Sequence, residues 1–119
     1  MATIRAYTTI EQSRKLAEIL PLESADMNYW CGTQIRIGGH KTMDEDLDIP
    51  CWSLAALLSV LPKNLNMGRP SLESNYKGYY WIQYYDEFMK PNDYKTECYN
   101  NPVDACYEMI IKLSELKIL

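Results

Sequence analysis

Seven consecutive residues, Tyr79-Tyr80-Trp81-Ile82-Gln83-Tyr84-Tyr85, limit this chain more than any other segment. Aromatic and β-branched side chains favour a pleated backbone, and in a strand alternate residues point to opposite faces. Tyr80, Ile82 and Tyr84 then share one face, and Tyr79, Trp81 and Tyr85 the other. Only Gln83 is non-aromatic and polar in the run, so the sequence predicts a central strand covered on both sides. A polar turn through Pro91, Asn92 and Asp93 leads to a second strand, Tyr94 to Tyr99, and the short separation predicts an antiparallel hairpin.

Helices flank this hairpin. Asn101 followed by Pro102 at the first helical position and Asp104 in the first turn predicts a capped helix whose buried stripe is Val103, Cys106, Met109, Ile110, Leu113 and Leu116. Glu108 and Lys112 are spaced for an i,i+4 pair. Ser53 reads as the N-cap of a second helix that ends before Pro62, with Trp52 and Leu57 placed for a hydrophobic staple. Because Leu54, Leu57, Leu58, Val60 and Leu61 leave it almost no polar face, that helix is expected in the core. A first helix is expected from Thr9 to Leu20, with a capping box of Thr8 and Glu11 and ion pairs Glu11–Lys15 and Arg14–Glu18.

Tyr29, Cys31, Thr33, Ile35 and Ile37 alternate with Trp30, Gly32, Gln34 and Arg36, the period of a half-buried strand. Gly32 allows either one bulged strand or a short hairpin. Residues Lys63 to Lys77 read as a surface loop with at most a short strand near Leu65. The order of elements indicates an α+β fold, a single domain over residues 1–119 with an antiparallel sheet of about three to four strands packed with three helices.

Composition narrows the function classes. Sixteen acidic and twelve basic residues give a formal net charge of −4, the wrong balance for a protein whose affinity rests on phosphate contacts, so no nucleic-acid partner is expected. Leu54 to Leu61 is the longest apolar stretch and falls far short of the ~20 residues of a membrane span. Residues Met1 to Tyr7 lack the apolar run of a secretory signal, and a cytoplasmic location is expected. Cys31, Cys51, Cys98 and Cys106 show no C-x-x-C spacing and read as reduced, mostly buried thiols.

Chemistry-bearing motifs are sparse. His40 is the only histidine, and no cysteine stands at a nucleophile spacing from it, although a Cys/His enzyme using Cys51 or Cys98 is an alternative. Asp44-x-Asp46-x-Asp48 opens like a calcium loop, but Ile49 stands where glycine is needed and Ala55 where glutamate is needed. Asp44, Glu45, Asp46 and Asp48 therefore read as an acidic docking loop, and an acidic inhibitor or nucleic-acid mimic is a second alternative. No catalytic residue, cofactor or metal is expected. Ten Tyr and three Trp against one Phe favour surfaces that are half dry and half wet. Tyr79, Tyr80, Trp81, Tyr84, Tyr85 and Tyr94 are thus the candidate protein interface, for a protein partner or a homodimer.

Ser24-Ala25-Asp26-Met27 with Tyr29-Trp30, and Ile49-Pro50-Cys51-Trp52-Ser53-Leu54-Ala55-Ala56-Leu57-Leu58 ending in Leu61-Pro62, resemble small proteins of gut anaerobic bacteria and their phages or mobile elements. Tyr84-Tyr85-Asp86 and Asn101-Pro102-Val103-Asp104-Ala105-Cys106 are similar too. The resemblance covers nearly the whole chain and implies a prophage or mobile-element setting. It brings no known activity and no catalytic residues with it.

Overall fold

The computed structural model describes residues 5–30, 34–37, 48–63 and 68–119. Its α+β chain divides into two compact units, Met1–Leu57 and Leu58–Leu119. Among the described residues the strands, expected as one sheet, form two antiparallel sheets of three.

In the first unit, helix α1 spans Ile10–Ala17. Its cap is Thr9 rather than Thr8: Gln12 N–H donates to the Thr9 hydroxyl at 3.1 Å, and Thr9 N–H donates back to Gln12 Oε1 at 3.0 Å. Gln12 thus fills the role expected of Glu11, and the ion pair seen on the helix is Lys15 with Glu18 at 3.9 Å. A short 3-10 turn, Leu22–Ser24, follows. Strands β1 (Met27–Trp30) and β2 (Gln34–Ile37) form a hairpin, with Tyr29 opposite Ile35, which decides between the two readings left open by Gly32. The other edge of β1 pairs with β3, Asp48–Cys51. Its first residue, Asp48, was read as part of the acidic loop, and no strand was expected over 49–51. Pro50 hid it, yet proline is tolerated on an edge strand, and β3 is one.

Tyr29, Ile49 and Cys51 lie on one face of this sheet and form a buried cluster, with Tyr7, Ile10, Met27 and Ile35 packed against it. Helix α2, Leu54–Val60, begins in this unit and ends in the second. Ser53 caps it as expected, its hydroxyl accepting from Ala56 N–H at 3.2 Å. Trp52 and Leu57 are wholly buried, but Leu58 is only half-buried and Ala55 and Ser59 are exposed, so the helix does have a solvent side.

The second unit is a meander of β4 (Arg69–Ser74), β5 (Tyr80–Tyr85) and β6 (Pro91–Lys95), followed by helix α3, Pro102–Glu115. β5 is central, as its sequence demanded. β4 lies inside the segment expected to be loop, and Pro70 again sits on an edge. β6 begins three residues earlier than expected, because the turn is made by 86–90 rather than by Pro91 to Asp93. Of the predicted strand Tyr94 to Tyr99, Tyr94 and Lys95 lie in β6, and beyond it Tyr99 makes a bridge to Tyr80.

α3 forms as read, with Asn101 Oδ1 accepting from Val103 N–H at 2.8 Å, and packs on β5. Leu116 falls outside its buried stripe. The helix ends in a Schellman motif: Ile118 N–H reaches Leu113 O at 2.9 Å and Lys117 N–H reaches Ser114 O at 3.0 Å. This places Lys117 at φ 60°, where glycine is the usual residue.

Leu57→Ala should lower stability by roughly 2–5 kcal/mol, the range for a wholly buried leucine, and Leu58→Ala by less; equal costs in urea titrations would contradict the burial difference. Lys117→Gly and Met89→Gly, at the two non-glycine positions with positive φ among the described residues, should each raise stability by about 1 kcal/mol by relieving the left-handed backbone. A loss in both variants would show that the side chains matter more than the strain.

Candidate functional site

Two assemblies of polar and aromatic side chains stand out, one buried in the first unit and one exposed on the second. The buried one centres on Thr8, which the shift of the helix cap frees to face inward. Its hydroxyl lies 2.8 Å from Ser13 Oγ and accepts from Trp52 N–H at 3.2 Å. The Thr8 carbonyl accepts from the Tyr29 hydroxyl at 2.6 Å and from the Cys51 thiol at 3.6 Å. Hydroxyls beside a thiol look like nucleophile chemistry, but the electrostatics run the other way. Burial pushes the Cys51 thiol up despite hydrogen bonds from Thr8 and Ser13 that oppose the shift, and burial pushes Cys106 up to about 12. A nucleophilic cysteine needs the opposite shift. Thr8, Ser13 and Cys51 are also closed to solvent, so this cluster ties α1, β1 and β3 together and has no access for a substrate.

A second set of bonds anchors α2. The Asp26 carboxylate accepts from both the backbone N–H and the hydroxyl of Ser53, and Trp52 Nε1–H donates to Ser24 Oγ at 2.9 Å. Segments 24–30 and 49–58 are therefore bonded to each other in space.

On the second unit, Ile82 and Tyr84 share the covered face of β5 and are wholly buried. Tyr84 is thus not a surface residue: its hydroxyl donates to Pro62 O at 2.9 Å, and Tyr94 packs edge-on against its ring at 6.2 Å. Tyr80 is half-buried beside Tyr99. The opposite face carries Trp81, Gln83 and Tyr85 with their β4 partners Glu73, Ser71 and Arg69. The Tyr85 hydroxyl donates to Glu73 Oε1 at 2.6 Å. Four strand positions separate the rows of those two residues, about 13 Å at the usual rise, so the ring must lie along the sheet. It therefore covers the row of Ser71 and Gln83. Gln83 is buried there, its amide donating to Asn92 O at 2.9 Å and Tyr94 O at 3.4 Å across the bulge in β6. Lys95 lies over the Trp81 ring, 6.0 Å from its centroid. The second face of β5 is therefore covered in part by long side chains of the sheet itself.

What this self-covering leaves in solvent is at the two ends of the sheet. Tyr76 is 94% exposed and Tyr79 44%, at the β4–β5 turn; Phe88 is 74% exposed and Met89 62%, at the β5–β6 turn. Both turns have the same build. Asn75 N–H donates to Tyr79 O and Gly78 N–H to Asn75 O; likewise Asp86 N–H donates to Lys90 O and Met89 N–H to Asp86 O. This is the three-residue hairpin loop in which a type I turn is closed by a left-handed residue. Asn75 Oδ1 braces one loop by accepting from Lys77 and Tyr79 N–H, and Asp86 Oδ1 braces the other by accepting from Phe88 and Lys90 N–H.

Of the predicted interface residues, the structure exposes Tyr79, leaves Tyr80, Trp81, Tyr85 and Tyr94 half-buried and removes Tyr84. Tyr76, Phe88 and Met89 were missed, although Asp86-Glu87-Phe88-Met89-Lys90 between two strands offered the signal: an apolar pair where a turn should be polar. Asp44, Glu45 and Asp46, with His40 and Cys31, lie outside the described residues, and Asp48 opens β3. Among the described residues there is no group of three metal-ligating side chains, and no helix is long and apolar enough to cross a membrane. No family model, curated protein or solved structure matches the chain.

The Tyr29 phenol is pushed up to about 12, by burial first and by Cys51 next. A raised phenol favours the neutral form in the fold, so its contribution is whole below the unfolded value near 10 and is lost as pH rises from 10 toward 12. Wild-type stability should fall over that window more steeply than that of Tyr29→Phe, measured by urea titration at stepped pH; parallel slopes would remove Tyr29 as the cause.

Proposed function

We propose that this chain is a small non-enzymatic binding protein whose partner is another protein, met by the sheet of the second unit. The observation that carries this reading is the pair of braced loops that hold Tyr76, Tyr79, Phe88 and Met89 in water at the two ends of β5. Large apolar side chains in solvent raise no stability of their own; each turn carries two of them, Tyr76 with Tyr79 and Phe88 with Met89, and exposed apolar groups of this kind mark interaction sites. Rings on rigid loops lose little conformational freedom on binding, which is why Tyr and Trp recur among hot spots. Half-exposed Trp81 and Tyr85 extend the same surface between the ends. A protein partner is also consistent with the acidic balance and with the resemblance to phage and mobile-element proteins of the cell interior.

Affinity capture from a lysate of the source cells, compared between wild type and a Tyr76→Ser/Tyr79→Ser/Phe88→Ser/Met89→Ser variant, tests the reading, with sedimentation equilibrium to detect a second copy. A protein retained at near-equal molar amount by wild type and lost from the folded variant is expected. Identical recovery from both, together with a monomer in solution, would overturn it.

A further inference from the structure

At the β5–β6 turn a strong donor meets a weak acceptor: Arg69 Nη2 donates to the Met89 sulfur at 3.1 Å. Arg69 is the first residue of β4, paired with Tyr85, so the contact joins an edge strand to the turn beyond its neighbour. A guanidinium is permanently charged and rich in donors, whereas a thioether is among the poorest acceptors a side chain offers. Met89 is also 62% exposed. The other methionines among the described residues are covered, Met109 wholly within α3 and Met27 partly against the Tyr29 cluster. The one sulfur open to a solute is thus the one with a cationic donor already aimed at it.

We infer that Met89 is a site of reversible oxidation by hydrogen peroxide, and that Arg69 is the group that receives the sulfoxide. One lone pair of the sulfur accepts from Arg69, and the second is left to attack a peroxide oxygen. The S–O bond forms as the O–O bond breaks; sulfur gives up two electrons, and the departing hydroxide takes the proton from the transferred oxygen and leaves as water. The sulfoxide oxygen carries partial negative charge, so a weak N–H···S contact becomes a charge-assisted N–H···O bond. Oxidation of a core methionine disrupts packing; here it tightens the turn against β4, and the oxidised chain is the more stable form. Thiol-dependent sulfoxide reductases reverse the step, the oxygen leaving as water while two thiols become a disulfide. The same change makes half of the apolar pair Phe88 and Met89 polar, so the end of β5 alters its surface with the supply of peroxide. No partner protein is needed for this, and it stands apart from the binding reading.

The test treats the full chain with hydrogen peroxide, follows each methionine by peptide mass mapping and measures the urea midpoint before and after. Met89 should oxidise before Met27 and about tenfold faster than Met109, as exposure dictates. Treated Met89→Leu registers whatever the other methionines contribute, and against that reference the wild-type midpoint should rise. Arg69→Leu should oxidise at Met89 and gain nothing from it, Arg69→Lys should recover part of the gain, and methionine sulfoxide reductases acting on both epimers should return wild type to its starting midpoint. Oxidation of Met27 ahead of Met89 would remove the site. A fall in the wild-type midpoint relative to Met89→Leu would overturn the stabilising bond, and an equal rise in Arg69→Leu would take the sulfoxide from Arg69 and give it to another donor such as Lys90.

Discussion

The second unit depends on one requirement: β5 must satisfy both its edges and both its faces. Its backbone is paired by β4 on one side and β6 on the other, and its Ile82 and Tyr84 are wholly buried on the face where helix and loop backbone accept them. The other face is met differently. A small unit has few elements to spend on a second layer, and here the Tyr85 ring laid toward Glu73, together with the Lys95 ammonium over Trp81, takes the place of one. Gln83 can be buried beneath them only because the bulge in β6 turns backbone carbonyls toward its amide. Without those acceptors a buried amide would cost about 1–3 kcal/mol.

The elements that could be read from the sequence were those whose signal is local. α3 carries its own cap, proline and apolar stripe, and it forms where they say. β5 is dense enough in β-formers to need no context. The strands that escaped, β3 and β4, both contain a proline that argues against a strand in isolation; they exist because each lies on an edge where the missing N–H faces no neighbour. The cap of α1 moved by one residue for a tertiary reason: Thr8 is a competent cap, but Tyr29, Ser13 and Trp52 all need its atoms inside. Local preference proposed two threonines, and long-range hydrogen bonding chose between them.

The same cluster explains why chemistry-bearing residue types can be legible in a sequence without marking chemistry. Thr8, Ser13, Tyr29 and Cys51 are donors and acceptors at short range, and every one has a structural bond to make. Their burial keeps the thiol and phenol neutral, which is what a buried polar network requires if it is not to cost stability. The pairing of Asp26 with Ser53 and of Ser24 with Trp52 works in the same way, fixing how the chain enters α2. Segments 24–26 and 52–53 are thus held together by capping and burial.

The sequence reads as one aromatic surface along β5, and the structure exposes most fully the rings and the methionine at the two turns that flank it. Alternation along Tyr79 to Tyr85 shows which rings share a face, but cannot show that a tyrosine will lie down across its neighbour or that a lysine will cover a tryptophan. Those choices depend on what stands opposite, and Glu73 became visible as a partner only once β4 was paired in register. Once the face has partly covered itself, side chains that cannot fold back onto the sheet are those at its turns. A three-residue loop braced by an Asn or Asp side chain is too short and too rigid to tuck its residues under. Phe88 and Tyr76 therefore stay in water, held there by the loops that carry them. Loop geometry does not ask for methionine after Phe88. It asks for the glycine found at the other turn, where Gly78 stands at φ 86°, and Met89 takes up the same left-handed backbone at φ 62° without glycine's freedom.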